Sequence, residues 1–295
     1  CRGRVGDDET GQPAPGAAFD TRGYSRGRPR AQPRLTVIDA TSVRPEARKW
    51  LVALAREFHV PPVGIVFDLP AKLCQERNRS RPDRAFGSHV IRQQAQHMRR
   101  SLRGLGREGF RHVTILKTQD EVDAAKVERR SLWPDRRGES GPFDIIGDIH
   151  GCFDELVDLL GRLGYQVEGA AAEPRAGHPE GRKAIFLGDL VDRGPDSPSV
   201  LRLVMSMVEG GTALCVPGNH DMKLLRKLRG KDVRITHGLA ETLEQLERED
   251  DGFRQEIATF LDGLVSHYVL DQGRLVVAHA GLTAELQGRA SSRVR

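Results

Sequence analysis

Carboxylate, amide and imidazole side chains follow four short apolar segments in the second half of the chain. The segments read FDIIGD from residue 143, KAIFLGD from 183, TALCVPGN from 212 and GRLVVAHA from 273. The polar residues at their ends are Asp148 and His150, then Asp189, Asp192 and Arg193, then Asn219, His220 and Asp221, and finally His279. Because parallel strands of a covered sheet end at one rim, we expect these side chains to line a common cleft.

Carboxylate oxygens mixed with imidazole nitrogens are typical ligands of divalent first-row ions. The sequence therefore predicts a site for two divalent metal ions, with Mn²⁺ favoured and Fe²⁺, Ni²⁺ or Zn²⁺ as alternatives. Two ions roughly 3.5–4 Å apart need a bridging carboxylate. Asp189, which follows the second of the four segments, is the candidate for that bridge.

Strand-like and helix-like segments alternate along both halves of the chain, which predicts an α/β fold with parallel, covered sheets. In the first half, the predicted strands are 34–41, 62–70 and 111–118, and the predicted helices are 45–60, 71–79 and 88–103. In the second half, the four apolar segments are predicted strands, and the predicted helices lie near 152–164, 196–209, 221–228 and 239–248.

The composition changes along the chain and predicts its domain organisation. Residues 1–34 are rich in Gly, Pro and Arg with little apolar periodicity, so we expect them to be disordered or poorly packed. Residues 35–118 form the first predicted domain, and the charged segment 119–142 is a predicted linker. Residues 143–295 form the second predicted domain.

Charge and cysteine content restrict the environment and the partners. The chain has 46 Lys and Arg against 41 Asp and Glu, a formal net charge of +5. Its four cysteines are far apart, so neither a disulfide framework nor a zinc ribbon is indicated. No apolar stretch approaches the length of a membrane span, and we expect a cytoplasmic protein with no membrane partner. Arginines cluster from Arg77 to Arg111, and arginine binds phosphate through paired hydrogen bonds.

Four motifs occur in a fixed order in the second half: GDIHG (147–151), GDLVDRG (188–194), GNHD (218–221) and VVAHAG (276–281). This order resembles the calcineurin-like metallophosphatase superfamily and implies an α/β sandwich with a two-metal site. The resemblance implies that Asp148, His150 and Asp189 hold one ion. It implies that Asp189, Asn219 and His279 hold the other.

The resemblance also implies roles for residues that bind no metal. His220 would protonate the leaving oxygen, Asp192 would orient the imidazole, and Arg193 would bind the phosphoryl oxygens. The ions would activate water, since a bound ion lowers the pKa of water towards about 7. The family has a further histidine in a later Gly-His motif, which these residues lack, so we expect the second ion to be loose or absent. His237 and His267 precede VVAHAG and are not expected to replace it.

The first half resembles the kinase domain of bacterial polynucleotide kinase-phosphatase, an enzyme that heals and seals RNA ends. The resembling segments are DDET (7–10), LTVIDATSVRPEARK (35–49), FDLP (67–70) and CQERNRSRPDRAFGSHVIRQQ (74–94). The resemblance implies a lid whose residues Arg77, Arg81 and Arg84 close over ATP, with Mg²⁺ as the kinase metal. No GxxxxGK[ST] phosphate loop occurs, so we expect no kinase activity and interpret the chain as an internal fragment with both domains incomplete.

These observations favour one function and leave two alternatives. The leading interpretation is metal-dependent hydrolysis of 2′,3′-cyclic phosphate or 3′-phosphate RNA ends, with weak or no activity in this fragment. RNA ends are the expected partner, since phosphate contacts supply most sequence-independent affinity, and the family suggests an RNA 3′-end 2′-O-methyltransferase as a second partner. The first alternative is a protein Ser/Thr phosphatase or a dinucleoside-tetraphosphate hydrolase, and the second is a non-catalytic RNA-binding remnant. The sequence does not indicate the oligomeric state.

Overall fold

The chain divides into two compact units, Cys1–Arg129 and Arg130–Arg295. The structure is a computed structural model, and it describes residues 36–80, 86–128, 130–169 and 173–290. The segment 1–34 that was expected to be poorly packed lies outside the described residues. No helix within those ranges is both long enough and apolar enough to cross a membrane.

The described part of the first unit contains two strands and five helices. In chain order they are α1 (Pro45–Glu57), β1 (Val63–Phe67), α2 (Ala71–Arg79), α3 (Ser88–Leu102), α4 (Leu105–Glu108), β2 (His112–Leu116) and α5 (Gln119–Ala124). Strands β1 and β2 pair in parallel, with Val63 opposite His112. Pro45 occupies the first turn of α1, where its fixed φ suits the helix and its missing N–H costs nothing. Helix α5 lies inside the predicted linker, and the side chain of Thr118 caps it by accepting the N–H of Glu121.

Two expectations for the first unit are wrong. Residues 36–41 form no strand, and Val37 is 79% exposed, because an apolar run becomes a strand only where a neighbouring backbone pairs with it. Among the described residues, the sheet is also not covered on both faces. Alternate side chains of β1 are half exposed, namely Val63, Ile65 and Phe67. Because side chains alternate along a strand, β1 has one partly buried face and one exposed face.

The second unit contains the remaining elements. In chain order they are β3 (Phe143–Ile146), α6 (Phe153–Arg162), β4 (Gln166–Glu168), β5 (Arg175–Gly177), β6 (Lys183–Phe186), α7 (Ser197–Glu209), β7 (Ala213–Cys215), α8 (Asn219–Leu228), α9 (Leu239–Glu247), α10 (Asp251–Gly263), β8 (His267–Leu270) and β9 (Leu275–Ala278). Asp196 caps α7 by accepting the N–H of Ser199, and Asp250 caps α10 in the same way through Phe253.

Three of the four apolar segments form a parallel sheet in the order β3-β6-β7. The fourth does not join it, so the expectation of one parallel sheet is wrong for the segment from residue 273. Strand β9 pairs with β8 in a separate antiparallel sheet. The two strands are joined by a short turn at Asp271–Gly273, which allows only an antiparallel return.

The core lies on both faces of the three-stranded sheet. On one face, Phe186 and Cys215 pack among buried residues of α6, α7, α8 and α10. On the other face, Ile185 and Leu214 pack against Tyr268, which belongs to β8. The second unit therefore has a helical layer, the parallel sheet and the antiparallel pair β8-β9, while β4 and β5 form a further antiparallel pair. The strand ends of the parallel sheet and of β9 provide the polar cluster described next.

Candidate active site

The polar cluster lies where four strands end. Asp148 and His150 follow β3, and Asp189 follows β6. Asn219 is the first residue of α8, shortly after β7, and His279 directly follows β9. Segments far apart in sequence thus bring their first polar residues to one place.

Asp189 lies at the centre of this cluster. Its Oδ2 atom is 3.9 Å from Nε2 of His150 and 3.6 Å from Nε2 of His279. Its Oδ1 atom accepts the backbone N–H of His220 at 3.0 Å. The carboxylate is buried, so its second oxygen is held in place between the two imidazoles.

Two further groups belong to the cluster. Asp148 Oδ2 is 3.9 Å from Nε2 of His150, and its side chain is 58% exposed. Asn219 Oδ1 is 3.2 Å from Nε2 of His279. The other four predicted ligands are therefore linked to Asp189, either directly or, for Asn219, through His279.

The hydrogen bonds of the two histidines determine which ring nitrogen carries the proton. Nδ1 of His150 lies 2.9 Å from the carbonyl oxygen of Val191, and Nδ1 of His279 lies 2.7 Å from that of Leu187. A carbonyl oxygen only accepts, so both Nδ1 atoms donate and a lone pair remains on each Nε2. Nε2 of His150 is buried and has no hydrogen-bond partner among the described residues.

This donor set fits a cation. Two imidazole lone pairs face the oxygens of Asp189, Asp148 and Asn219, and none of these groups supplies a proton to the centre. Two atoms bound to one ion at about 2.1 Å each lie no more than about 4.2 Å apart, and the distances of 3.6 and 3.9 Å meet that condition.

The ligand atoms form two compact groups. Those of Asp148, Asp189 and His279 lie within 4.8 Å of one another, and so do those of His150, Asp189 and His220. Nε2 of His150 is also 3.9 Å from Oδ2 of both Asp148 and Asp189, so the predicted assignment of ligands to the two ions stays a prediction. Asp189 belongs to both groups, which is the position of a bridging carboxylate.

A nitrogen of His220 faces the same centre. Its Nδ1 lies 2.7 Å from Oδ2 of Asp192, whose side chain is fully buried. Its Nε2 lies 3.5 Å from Nη2 of Arg193, which is exposed. The rings of His150 and His220 meet edge to face with centroids 4.8 Å apart. An imidazole oriented by a carboxylate on one nitrogen can exchange a proton through the other.

The backbone around these residues is strained. Asp189 has a φ of 49°, Asp192 of 73° and Arg193 of 70°, all in the left-handed region that side chains rarely adopt. Such strain is found where the surrounding structure fixes a functional loop. Gly218 is required by close approach, because a Cβ atom there would lie 2.0 Å from Oδ1 of Asp189.

Asp221 has a role that the sequence did not reveal. It was grouped with the metal-capable residues, but its carboxylate accepts backbone N–H groups of Asp189, Leu190 and Gly218 at 2.8–2.9 Å. Burial raises its pKa to about 6, and the three N–H groups oppose that rise. Asp221 therefore joins the loops after β6 and β7 and holds Asp189 in position.

Thr242 of α9 was also missed. It lies in the buried stripe formed by Leu239 and Leu246, a place where a polar residue needs a partner, and it hydrogen-bonds to Asp192. A threonine at an apolar position of an amphipathic helix was the available signal.

The remaining candidate residues lie elsewhere. His237 is exposed, whereas His267 is buried, accepts the N–H of Gly288 at 2.7 Å and has its pKa lowered by burial. Neither belongs to the metal-binding groups found among the described residues. In the first unit, Arg77 donates to the side chain of Gln119. Arg81 and Arg84 lie outside the described residues, so the predicted lid stays a prediction.

An α/β sandwich with a cluster of metal-capable side chains, a histidine–aspartate pair and an exposed arginine is typical of the metallophosphoesterase class. The family model described as calcineurin-like phosphoesterase matches residues 141–291, more than half of the chain. The chain belongs to the calcineurin-like phosphoesterase family. A second model, described as an AAA domain, matches residues 19–105. The predicted α/β fold class with these two domain types is confirmed.

Named relatives match the second half of the chain. The bis(5′-nucleosyl)-tetraphosphatase PrpE [asymmetrical] of Anoxybacillus flavithermus is 41% identical over 157 residues, 52% of this chain and 62% of that protein. The Bacillus subtilis protein of the same name is 40% identical over 157 residues, 52% of this chain and 63% of that protein. The chain thus spans less than two thirds of the length of these curated relatives. A solved Saccharomyces cerevisiae protein serine/threonine phosphatase is 18% identical, with a TM-score of 0.38 over 55% of this chain and 48% of that one.

Proposed function

We propose that the second unit hydrolyses phosphoanhydride or phosphoester bonds of nucleotides, with dinucleoside tetraphosphates as the preferred class. Relatives that are 40% and 41% identical over this region carry the name bis(5′-nucleosyl)-tetraphosphatase, which supports that class. The observation that carries the proposal is the position of Asp189 Oδ2 between Nε2 of His150 and Nε2 of His279.

The metal ligands in this proposal are Asp148, His150, Asp189, Asn219 and His279. When bound, two divalent ions supply charge stabilisation at the phosphorus centre and make water acidic enough to attack near neutral pH. The buried carboxylate of Asp189 keeps both imidazoles aimed at one centre. The carbonyl oxygens of Val191 and Leu187 keep the two Nε2 lone pairs free for ions.

The other residues handle the substrate and the proton. Arg193 is exposed beside Nε2 of His220, so its guanidinium can bind phosphoryl oxygens next to the proton donor. In the reaction, the oxygen of water forms a bond to phosphorus and the bond from phosphorus to the leaving oxygen breaks. The water loses one proton to solvent, and the leaving oxygen takes one from Nε2 of His220. Asp192 holds the ring through Nδ1 during that transfer.

The test measures hydrolysis by the full chain loaded with Mn²⁺, with Fe²⁺, Ni²⁺ and Zn²⁺ in parallel. The substrates are a dinucleoside tetraphosphate, a phosphopeptide and an RNA with a 3′-phosphate. We expect the highest kcat/KM for the dinucleoside tetraphosphate and loss of activity in Asp189→Asn. The matched control is Asp158→Asn, an exposed carboxylate on α6. Equal turnover by the Asp189→Asn variant, or no turnover of any substrate by the loaded parent protein, would overturn the proposal.

A second candidate function is hydrolysis of 2′,3′-cyclic phosphate or 3′-phosphate RNA ends, and a groove in the first unit favours it. Arg92, Arg99 and Arg100 of α3 line a groove of about 600 Å³ together with Ala71 and with Arg103, which directly follows the helix. Arg99 is paired with an aspartate of the same unit at 2.9 Å. The other three arginines are exposed and form no ion pair with a described residue. Exposed guanidinium groups along a helix suit a phosphodiester backbone.

This candidate is the function that the resemblance to polynucleotide kinase-phosphatase implies. Substrate competition distinguishes it from hydrolysis of dinucleoside tetraphosphates. If RNA is the substrate, a 3′-phosphate RNA inhibits dinucleoside tetraphosphate hydrolysis competitively and is itself turned over faster. If the dinucleotide is the substrate, RNA turnover stays at the level of p-nitrophenyl phosphate. RNA ends, ATP with Mg²⁺ at the kinase half, and a methyltransferase partner remain predictions.

A further inference from the structure

Helix α9 contacts the loop between β6 and α7 along one face. Gly238, Thr242 and Gln245 are spaced at i, i+4 and i+7, which places them on the same side of the helix. The loop that they contact carries Asp192 and Arg193. Helix α9 supplies none of the residues that the proposed reaction uses.

Thr242 makes two hydrogen bonds to Asp192. Its hydroxyl donates to Oδ1 of Asp192 at 2.9 Å, and its oxygen accepts the backbone N–H of Asp192 at 2.9 Å. The same hydroxyl oxygen lies 3.3 Å from Oγ of Ser197. Thr242 and Asp192 are fully buried, so no water competes for these bonds.

Gly238 and Gln245 fix the loop on either side of Thr242. A Cβ atom at Gly238 would lie 2.3 Å from the backbone nitrogen of Arg193, so only glycine allows the helix to start this close. The side chain of Gln245 accepts the N–H of Ser197 at 2.8 Å and donates to the carbonyl of Gly194 at 3.0 Å. The loop is thus held at three points by one helix.

We propose that Thr242 is a positioning residue for proton transfer by His220 and acts through Asp192. The inference rests on the proposed function, because it assigns Thr242 to the proton-transfer step of that reaction. Asp192 offers two oxygens, and His220 uses Oδ2 while Thr242 holds Oδ1. Without the hydroxyl, the carboxylate can rotate about its last bond and the imidazole loses its fixed partner.

The backbone makes this support necessary. Asp192 has a φ of 73° and Arg193 of 70°, a conformation that persists only when the surroundings impose it. The hydrogen bond from the Asp192 N–H to Thr242 lies at this strained residue. The same helix therefore fixes both the strained peptide and the orientation of its carboxylate.

The test uses Thr242→Val, which keeps the shape and removes the hydroxyl, and Thr242→Ser, which keeps the hydroxyl. The matched control is Thr259→Val on α10, where an exposed threonine donates to the carbonyl of Gln255 and accepts from the Gln255 side chain of the same helix. Steady-state kinetics of the metal-loaded full chain are measured on 2,4-dinitrophenyl, p-nitrophenyl and phenyl phosphate. From 2,4-dinitrophenyl to phenyl phosphate, departure of the leaving oxygen depends increasingly on its protonation.

We expect kcat of Thr242→Val to fall about tenfold for phenyl phosphate and little for 2,4-dinitrophenyl phosphate, since a positioned acid typically contributes about 10²–10⁴-fold. Thr242→Ser should keep the kcat values of the parent on all three esters, and so should Thr259→Val. In an Asp192→Asn background, Thr242→Val has no further effect, because both changes remove the same function. In the metal-free protein, the low-field proton resonance of the His220 Nδ1–H shifts or broadens in Thr242→Val.

The outcomes separate this inference from the proposed function. If the loaded parent protein hydrolyses neither the dinucleoside tetraphosphate nor any of the three esters, the proposed function is wrong and the inference falls with it. If the parent is active but Thr242→Val loses the same factor on all three esters, or adds its full effect to Asp192→Asn, the inference alone is overturned. An unchanged His220 proton resonance in Thr242→Val also overturns it.

Discussion

Oδ2 of Asp189 lies 3.6 Å from Nε2 of His279, although the two residues follow strands of different sheets. Asp189 follows β6 of the parallel sheet, and His279 follows β9 of the antiparallel pair. The contact therefore requires that both sheets pack together, which they do through Ile185 and Val277 among other buried residues. The site is a property of the assembled second unit and not of any one motif.

Replacing Asp189 with Asn should separate metal affinity from folding. The amide keeps the shape and can still accept the N–H of His220, but it removes the charge shared by both ligand groups. Loss of a residue that supports a metal ligand typically lowers metal affinity about 10–100-fold. We expect Asp189→Asn to lower the affinity for Mn²⁺ by at least as much. The melting temperature of the metal-free variant should equal or exceed that of the metal-free parent, because fewer hydrogen-bond acceptor atoms then face each other in the ligand cluster. Isothermal titration with Mn²⁺ and thermal melting after chelation measure the two effects.

Asp158→Asn controls for the loss of an aspartate charge outside the ligand cluster, since Asp158 is exposed and pairs with Arg162 at 2.8 Å. Its Mn²⁺ affinity should equal that of the parent. Retained affinity in Asp189→Asn would show that Asp189 is not a shared ligand. A large loss of metal-free stability would show instead that the carboxylate is needed for folding.

The elements that carry the site were largely predictable, and the contacts between them were not. The ends of β3, β6 and β7 were visible because an apolar run followed by Gly-Asp or Gly-Asn indicates a buried strand and a turn. The pairing of β9 with β8 was missed because strand partners depend on the turn between them and on distant packing. Helix α10 was also missed, although Asp250 and an apolar stripe from Phe253 to Leu261 signalled it.

Roles within the site depend on contacts that spacing does not encode. Asp221 belongs to the same motif as Asn219, yet it faces the backbone and Asn219 faces His279. Residue type alone made both of them ligand candidates. The bond from Thr242 to Asp192 joins a helix to a distant loop, and no local pattern predicts such a pair.

Tyr165→Phe should lower stability in a pH-dependent way. The Tyr165 hydroxyl donates to Oδ2 of Asp144 at 3.0 Å, and Arg182 also binds this carboxylate. The Arg182 hydrogen bond and, after it, the Tyr165 hydrogen bond lower the pKa of Asp144 against the effect of burial. A lowered carboxyl pKa stabilises the fold above the unfolded value near 4, and this contribution is lost as the pH falls through the folded value.

We therefore expect Tyr165→Phe to cost about 1.5–3 kcal/mol at pH 7, the range for a hydrogen bond to a charged group. The difference from the parent should shrink as the pH falls from about 4, where Asp144 of the unfolded chain becomes protonated, through the lower pKa of Asp144 in the folded protein. Denaturant unfolding at a series of pH values measures it. Tyr268→Phe is the matched control, because the Tyr268 hydroxyl makes no hydrogen bond to a described residue, and it should show no such trend. A pH-independent cost in Tyr165→Phe would contradict the assignment to Asp144.

Gly218→Ala should damage the site and the fold together. The new Cβ would lie 2.0 Å from Oδ1 and 2.3 Å from the backbone nitrogen of Asp189, so the loop after β6 must move. We expect a loss of about 1–3 kcal/mol of stability, as for other overpacked positions, and weaker Mn²⁺ binding. Gly161→Ala is the matched control, since Gly161 lies inside α6 with no atom within 4 Å of an added Cβ. It should gain about 0.5–1 kcal/mol and bind Mn²⁺ normally. Unchanged Mn²⁺ binding in Gly218→Ala would contradict the prediction, because the loop after β6 would then move without disturbing the metal ligands.

The arginine groove of the first unit predicts how RNA affinity changes with salt. Replacing Arg92, Arg100 and Arg103 with Gln removes three exposed guanidinium groups that have no ion pair with a described residue. If each binds a phosphate of a single strand, the slope of log K against log salt should fall in magnitude by about 2, at about 0.7 per contact. The control removes three exposed arginines of the second unit that already have acidic partners, Arg162, Arg229 and Arg248. Fluorescence anisotropy with a labelled RNA over a salt series measures both variants. Both variants lose the same net charge, but only the groove variant would lose phosphate contacts. Equal slopes in the groove variant and the control would therefore show that the groove arginines contribute net charge and no phosphate contacts.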